Sequence, residues 1–380
     1  MAKRTKSVLA QRSKRATLRD IARVAGCSTA VASTVVNRAR GRSGASEQLV
    51  RRIRKAARDL GYRPHFASRS LARQTTETIG VYVPPGPGVS LGYQYEGQIL
   101  VGIESTCQQR TYDILVVNLG CDGPPHACLH KFVEGRIDGL LLLHVWHESP
   151  WVAELASEYP NVVGVNYYAR PCPISTVNFD DRAAARQAVM HLVELGHRRI
   201  GYVGTGRDAG PGDELRYQGF REAARESGLT VRREWVHDYA VTGSSQRQTG
   251  IWGDEQFGAA TAEVFAEMGP EAPTAIVCYD DQVAASAMLR LGELGVRVPS
   301  GMSVVGIDDA MVCSCVRPKL TSVRQPLEEM GRRAAALVID MAVAANGEEG
   351  ADGGETEGGR VHELKPPELI IRESTAPPRP

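Results

Sequence analysis

The stretch that most constrains this chain is Thr17 to Asn37, TLRDIARVAGCSTAVASTVVN. Leu18, Ile21, Ala22 and Ala25 recur at i, i+3, i+4 and i+7, the spacing that puts apolar side chains on one helix face. Thr17 precedes the run and Asp20 follows three residues later, a capping-box pattern that satisfies the backbone amides left free at a helix start. Gly26 suits a tight exit, and Ser28 starts a second helix running from Thr29 to Val36. Val31, Ala32, Val35 and Val36 then face the first helix, while Thr29, Ala30, Ser33 and Thr34 face outward. Two short helices joined by so brief a corner predict a helix-turn-helix. An ordinary helical hairpin would share the pattern, and the charge around it decides between them.

The net charge of +1 hides a strong asymmetry. Residues 1–75 hold 19 Lys and Arg against three acids, Asp20, Glu47 and Asp59, a net of +16 that leaves −15 for the rest. A basic head on an acidic body is the electrostatic footprint of a polyanion binder. Residues 1–16 read as a flexible basic arm. After Asn37 a Gly/Arg loop, RARGRSGA, leads to Ser46, which caps a third helix. There Leu49, Ile53, Ala56, Ala57 and Leu60 form one face, and Arg51, Arg52, Arg54, Lys55 and Arg58 crowd the others. Gly61 and Pro64 end it. HFASRSLARQ is long enough for one short helix that needs something to fold against.

From Thr78 the pattern changes to apolar strands alternating with amphipathic helices: TIGVYVPP, YDILVVNLG, DGLLLLHV and NVVGVNY, then RRIGYVGT, AIVCYDD and SVVGIDD, with a last strand ELIIR. Such alternation predicts doubly wound parallel α/β sheets. Two halves in tandem imply two lobes with a cleft between them, and ligands of such sheets sit at the carboxyl ends of the strands. The Gly/Glu-rich segment 346–360 reads as a solvated insertion ahead of the last strand.

The run from Thr17 to Gln74 resembles the DNA-binding head of the lactose/galactose repressor family, through TLRDIARVAGCS, Val35-Val36-Asn37, DLGYRP and the SRSLA hinge. The body resembles the effector-binding core of the same family, itself similar to periplasmic sugar-binding proteins. LGHRRIGYVG, RYQGF, SVVGIDD and LTSVRQP carry that likeness, in order and nearly end to end. The resemblance implies an N-terminal all-α head with a hinge helix, followed by a two-lobed α/β core. It divides the chain into an arm (1–16), a helix-turn-helix domain (17–63), a hinge (64–76) and an effector-binding and dimerisation domain (77–380). It implies a repressor that binds a pseudo-palindromic operator as a homodimer, under the control of a small-molecule effector, a carbohydrate by preference. Position by position, Thr29, Ala30, Thr34 and Arg40 become base readers. Ser28, Ser33 and Asn37 become phosphate binders, Ser68 a hinge contact and Leu71 an intercalating wedge. Tyr95, Arg216, Trp252, Asp280 and Asp308 become effector contacts, with Asp281 capping the helix that follows. Where the family usually has Thr-Val-Ser-Arg this chain has Val31-Ala32-Ser33-Thr34, and the loop after Asn37 is longer. Small side chains on the reading face imply fewer bidentate base contacts, each worth ~1–3 kcal/mol of discrimination.

Other chemistries find less support. GTGRDAG follows a strand but lacks the GxGxxG spacing and the Lys-Ser/Thr of phosphate loops. Cys121, His126, Cys128 and His130 are metal-ligand types, yet they straddle a loop and a helix. No Ser-His-Asp constellation is evident, and neither an enzyme nor a cofactor is expected. A solute-binding or sugar-processing protein with the same two lobes is the competing class, disfavoured by the head and by the lack of a signal-peptide pattern. With no apolar run long enough for a span and eight scattered cysteines, the expected place is the cytoplasm, at the nucleoid, with no membrane partner.

Overall fold

A computed structural model describes residues 16–37, 44–84, 92–117, 131–132, 134–145, 150–204, 211–237, 251–345, 356–357 and 359–379. The chain divides into two compact units, residues up to Thr78 together with 135–137, and the remainder.

The first unit contains α1 (Leu18–Ala25), α2 (Thr29–Asn37), α3 (Glu47–Asp59) and α4 (Phe66–Arg73). The capping box forms as the sequence predicts. Asp20 N donates to Thr17 Oγ1 at 3.3 Å and Thr17 N donates to Asp20 Oδ2 at 3.0 Å. Gly26 takes the left-handed conformation at φ 66° that ends α1 without a Cβ penalty. Ile21, Ala22 and Ala25 pack with Ala32 and Val35 of α2 and Ile53 and Ala56 of α3 into one small core. Helix α4 buries none of its side chains. It is held at its end, where Arg73 Nε donates to Asn37 O at 3.2 Å and Arg73 Nη1 pairs with Glu77 at 2.5 Å.

The second unit is built on two sheets. The first contains β1 (Thr78–Tyr82), β2 (Asp113–Val117), β3 (Gly139–Leu143), β4 (Val162–Val165), β5 (Ser175–Phe179), β11 (Thr356–Glu357) and β12 (Arg360–Lys365), in the order β11-β12-β5-β4-β3-β1-β2. The second contains β6 (Ile200–Val203), β7 (Val236–His237), β8 (Ala275–Cys278), β9 (Ser303–Asp308), β10 (Thr321–Arg324) and β13 (Glu368–Ile370), in the order β13-β10-β9-β8-β6-β7. Pairing is parallel through β1-β3-β4-β5-β12 and through β7-β6-β8-β9-β10. Antiparallel partners, β11 on β12 and β13 on β10, finish one edge of each sheet. Strands β1, β3, β4, β5, β6 and β8 are buried along their whole length. Both faces are covered, which is why most of them read as nearly continuous apolar runs, β5 with Ser175, Thr176 and Asn178 being the exception. The covering helices are α5 (Gln94–Arg110), α6 (Pro150–Glu158), α7 (Asp181–Glu194), α8 (Pro211–Glu226), α9 (Ile251–Glu267), α10 (Asp281–Glu293), the short α11 (Val312–Cys315) and α12 (Leu327–Ala345).

The lobes are not simply consecutive, and here the structure corrects the tandem reading. The chain passes between lobes three times: from β5 to α7, from β10 to α12, and from β12 to β13. Helix α12 returns to the first lobe and packs on α5, β3 and β4. Strand β12 follows from within the stretch expected to be an insertion and pairs with β5. Strands β5, β7, β10, β11 and β12 and helices α11 and α12 are elements beyond the sequence expectation.

The α5–α12 crossing depends on two glycines. A Cβ on Gly102 would lie 2.0 Å from Glu328 O, and one on Gly331 would lie 2.0 Å from Ile99 O. Each glycine thus lets the other helix's backbone approach, and no side-chain rotation relieves a clash with a carbonyl. Gly102→Val is expected to destabilise the protein by about 1–3 kcal/mol or more, because the helices must separate. Urea unfolding against wild type checks it.

Candidate nucleic-acid interface and effector site

In the head, Ser28, Thr29 and Ala30 are exposed at the start of α2, and Ser33 and Thr34 are half-buried one turn on. Ser28 Oγ accepts from Val31 N at 3.2 Å, so it caps the helix and fixes how α2 begins. Thr34 Oγ1 donates to Ala30 O at 3.0 Å, so its hydroxyl hydrogen is spent on the helix's own backbone. Asn37 is 1 % exposed, and its Nδ2 donates to Ser33 Oγ at 3.0 Å. The Asn37 amide, expected at a phosphate, is buried here and positions Ser33 and the end of α2. Arg40 lies outside the described residues. Ser68 and Leu71 are exposed on α4, Leu71 at 83 %.

In the body, three of the five expected effector residues, Tyr95, Arg216 and Asp308, lie together near the carboxyl ends of the strands. Arg216 on α8 is 5 % exposed, and each of its three guanidinium nitrogens has a partner. Nε donates to Asp181 Oδ1 at 2.7 Å, Nη1 donates to Tyr279 O at 2.5 Å, and Nη2 lies 3.5 Å from Asp308 Oδ1. The group also stacks over the Tyr279 ring, 4.8 Å from its centroid. Asp181 opens α7 at the first lobe crossing and receives a second bond, from Tyr168 Oη at 2.5 Å. Asp308 ends β9 and accepts from Gln325 Nε2 at 2.5 Å.

Tyr95 faces the same cluster from α5 and its hydroxyl accepts from Asn166 Nδ2. Burial first, and then the nearby Asp308 carboxylate, push its phenol up. Backbone strain marks the site. His144, Asn166, Asp308 and Asp309, each just beyond or at the end of β3, β4 or β9, take φ values of 56°, 54°, 118° and 57°. Non-glycine residues held there cost about 1–3 kcal/mol each and gather where function constrains the backbone.

Asp280, expected as an effector contact, instead caps α10: its Oδ1 accepts from Val283 N at 2.7 Å, and its backbone is extended, as an N-cap requires. Asp281, expected as that cap, is 1 % exposed and accepts from Ser322 Oγ at 2.6 Å and Ala310 N at 2.7 Å. Of the two neighbours Asp280 takes the cap because it alone has non-helical geometry. Trp252 falls at the start of α9, where its side chain lies outside the described residues, as does the whole Cys121/His126/Cys128/His130 group. Among the described residues no cluster of metal-ligating side chains occurs. Asp181, Asn166, His144, Gln325 and Tyr279 were not nominated from sequence. The strand-end rule would have pointed to His144 and Asn166, since each directly follows an apolar strand.

A helix-turn-helix head joined to two parallel-sheet lobes with a polar cluster between them defines a ligand-responsive DNA-binding regulator. Residues 17–65 match the family described as bacterial regulatory proteins, lacI family, and residues 189–375 match the periplasmic binding protein-like domain. The HTH-type transcriptional regulator GalR of Escherichia coli is 30 % identical over 332 residues, which cover 86 % of this chain and 89 % of that protein. The HTH-type transcriptional repressor PurR of Vibrio vulnificus is 25 % identical over 362 residues, 94 % of this chain and 98 % of that one. The lac repressor dimer bound to operator and the anti-inducer ONPF shares the fold, with a TM-score of 0.72 at 24 % identity over 96 % of this chain and all of that one. A CelR–cellobiose complex aligns with a TM-score of 0.61 at 26 % identity, covering 95 % of this chain and all of that one. The chain belongs to the lacI family of bacterial transcription regulators; its relatives are regulators, not enzymes. No described helix is long and apolar enough to cross a membrane.

Burial dominates the titration of this site. It pushes Asp281 well above the usual carboxylate range, with the neighbouring Asp308 charge adding to it. Asp308 and Asp181 rise for the same first reason, offset in part by Arg216. A carboxyl raised in the folded state holds its proton to a higher pH than the unfolded chain does, so folding is favoured at acid pH and loses stability as pH rises. The contribution of these carboxyls to stability should therefore decline from the ordinary carboxylate value of ~4 up to about 8, where Asp281 titrates, and Asp281→Asn should flatten that part of the slope. Thermal unfolding across this range, with both proteins in one buffer series, measures it.

Proposed function

We propose that the chain is a repressor that binds a pseudo-palindromic operator as a homodimer and answers to a small hydroxyl-rich effector, a carbohydrate, held between its lobes. The boundaries proposed are an arm (1–16), a helix-turn-helix domain (17–63), a hinge (64–76) and an effector and dimerisation domain (77–380). Thr29, Ala30 and Thr34 are the proposed readers, Ser28 and Ser33 the phosphate contacts, with Arg40 beside them. Arg216, Asp308 and Tyr95 are the proposed effector contacts. The observation that carries the DNA reading is Leu71, 83 % exposed on an eight-residue helix that buries nothing. Such a helix is marginal alone, and an exposed leucine at its tip suits a wedge between base steps in the minor groove. Two copies are needed because each head reads one half-site and the wedges act at the centre. The cellobiose named in the complex of one structural neighbour supports a sugar as the effector class. The lobes then close or reopen around ligand and change the spacing of the two hinges.

An operator selected from random DNA provides the test. Leu71→Ala should weaken binding to that operator and reduce its bending, while binding to random duplexes changes little, because phosphate contacts act on any sequence. Equal losses on both would contradict the wedge. Sedimentation of the operator complex as one chain per site would contradict the dimer. A thermal-shift screen of sugars then identifies the effector, since a ligand at 100 times its Kd stabilises by about 2.7 kcal/mol. By linkage, the factor by which that ligand changes operator affinity must equal the factor by which operator changes ligand affinity.

A further inference from the structure

The second sheet has a hollow at the amino ends of its strands, away from the carboxyl ends where the effector residues lie. Arg198 and Arg199 lead into β6, while Thr230, Arg232 and Trp235 lie between the end of α8 and β7. These five, with the turn that ends α8, line a cavity of about 410 Å³. That volume is within the ~300–1,000 Å³ of small-molecule sites. Strand β6 has four residues, so about 13 Å of strand separates its two ends. Residues 76–380 carry a net charge of −15, so three guanidinium groups around one hollow are not a product of composition.

Each arginine is fixed through one nitrogen. Arg198 Nη1 donates to Val193 O at 3.3 Å and to His197 O at 3.0 Å, and Arg199 Nη1 donates to Pro270 O. Carbonyls hold these groups in place without cancelling their charge. Arg232 Nη1 donates to Glu271 Oε2 at 2.6 Å, with Glu234 at 3.9 Å, and its guanidinium stacks on the Trp235 ring at 4.9 Å. Both sides of the Arg232–Glu271 pair are exposed, and such a pair is weak enough to be exchanged. Trp235 is buried and its Nε1 donates to Glu271 O at 3.0 Å, so the floor is fixed. Among the described residues, the Nε–Nη2 edge of all three arginines meets no acceptor. That is the edge that forks onto an oxyanion. The carboxyl end of α8 would oppose an anion, but Gly228 N and Leu229 N already cap its last turn, at Arg225 O and Ala224 O.

We infer that this hollow is a second ligand site, one that takes a phosphate-bearing small molecule, a phosphomonoester or a diphosphate. A planar guanidinium donates two parallel bonds to a pair of phosphate oxygens, which a point charge cannot do. Arg198 and Arg199 offer two such edges side by side. Arg232 offers a third, and Thr230 adds a hydroxyl to the lining. Nothing in this site depends on what the cleft between the lobes binds.

Calorimetry on the intact chain, with pyrophosphate, glycerol 3-phosphate and glucose 6-phosphate at one fixed ionic strength, tests it. The basic head attracts anions too, so the readout is the difference between wild type and variant. Arg198→Gln and Arg199→Gln should each weaken binding of the preferred probe about tenfold, and together about 100-fold. Both side chains are exposed, so the melting temperature without probe should stay at the wild-type value. Glu271→Gln removes the competing carboxylate and should tighten binding. Tyr95→Phe, in the cleft, should leave it unchanged. Equal affinities in wild type and the double variant for every probe would place the anion elsewhere and overturn the site, as would no measurable binding at millimolar probe. A loss in Tyr95→Phe as large as in the double variant would overturn its separation from the cleft.

Discussion

The body of this protein depends on one buried guanidinium. Arg216 joins three places that the chain reaches at different times: the start of α7 at the first lobe crossing, the end of β8 and the end of β9. Taking a cation and its carboxylates out of water costs several kcal/mol per ion, so such a cluster is a poor source of net stability. What it supplies is position. Removing the guanidinium would leave Asp181 and Asp308 buried without their counter-charge, a loss of about 3–5 kcal/mol for a broken buried pair. Strand ends, crossing and cleft wall are therefore held in one arrangement, and a ligand that competes for any of these contacts acts on all of them.

The head is held together on a much smaller scale. Seven buried apolar residues, a capping box and a glycine exit keep three helices in place, and the reading face of α2 is left to small side chains. Asn37 shows how tightly the two tasks are joined. Its amide is spent on Ser33, its backbone carbonyl receives Arg73, and so the last turn of α2 is tied directly to the short helix that carries Leu71. A shift of α4 must therefore be felt at the recognition helix within this one unit.

Much of this was legible in the sequence because it is local. The caps at Thr17 and Ser28, the face of α3 and the apolar strands are written in spacings of three, four or unbroken runs. What was not legible is non-local. RVHELK alternates weakly and sits behind a Gly/Glu-rich stretch, so nothing nearby says that it pairs with β5. STVNF carries polar residues that are buried only because β12 and β4 flank it. Asp280 and Asp281 are chemically identical neighbours, and only the backbone decides which caps and which is buried. The strained φ values at His144, Asn166 and Asp308 have no sequence signature, since none is glycine.

The threading of the lobes has a consequence for how the protein comes into being on the ribosome. The first sheet is begun by β1, but α12 and β12, which cover and widen it, lie beyond residue 326. While the second lobe is being made, the first has emerged with one flank of β5 unpaired and α5 uncovered at Gly102. It must wait through some 150 residues of synthesis, or roughly 7–30 s at elongation rates of ~5–20 residues per second. An exposed strand edge is a template for wrong pairing over that interval. Each lobe thus waits for a late segment, the first for α12 and β12 and the second for β13, and neither half of the body is a folding unit that the nascent chain can finish and leave behind.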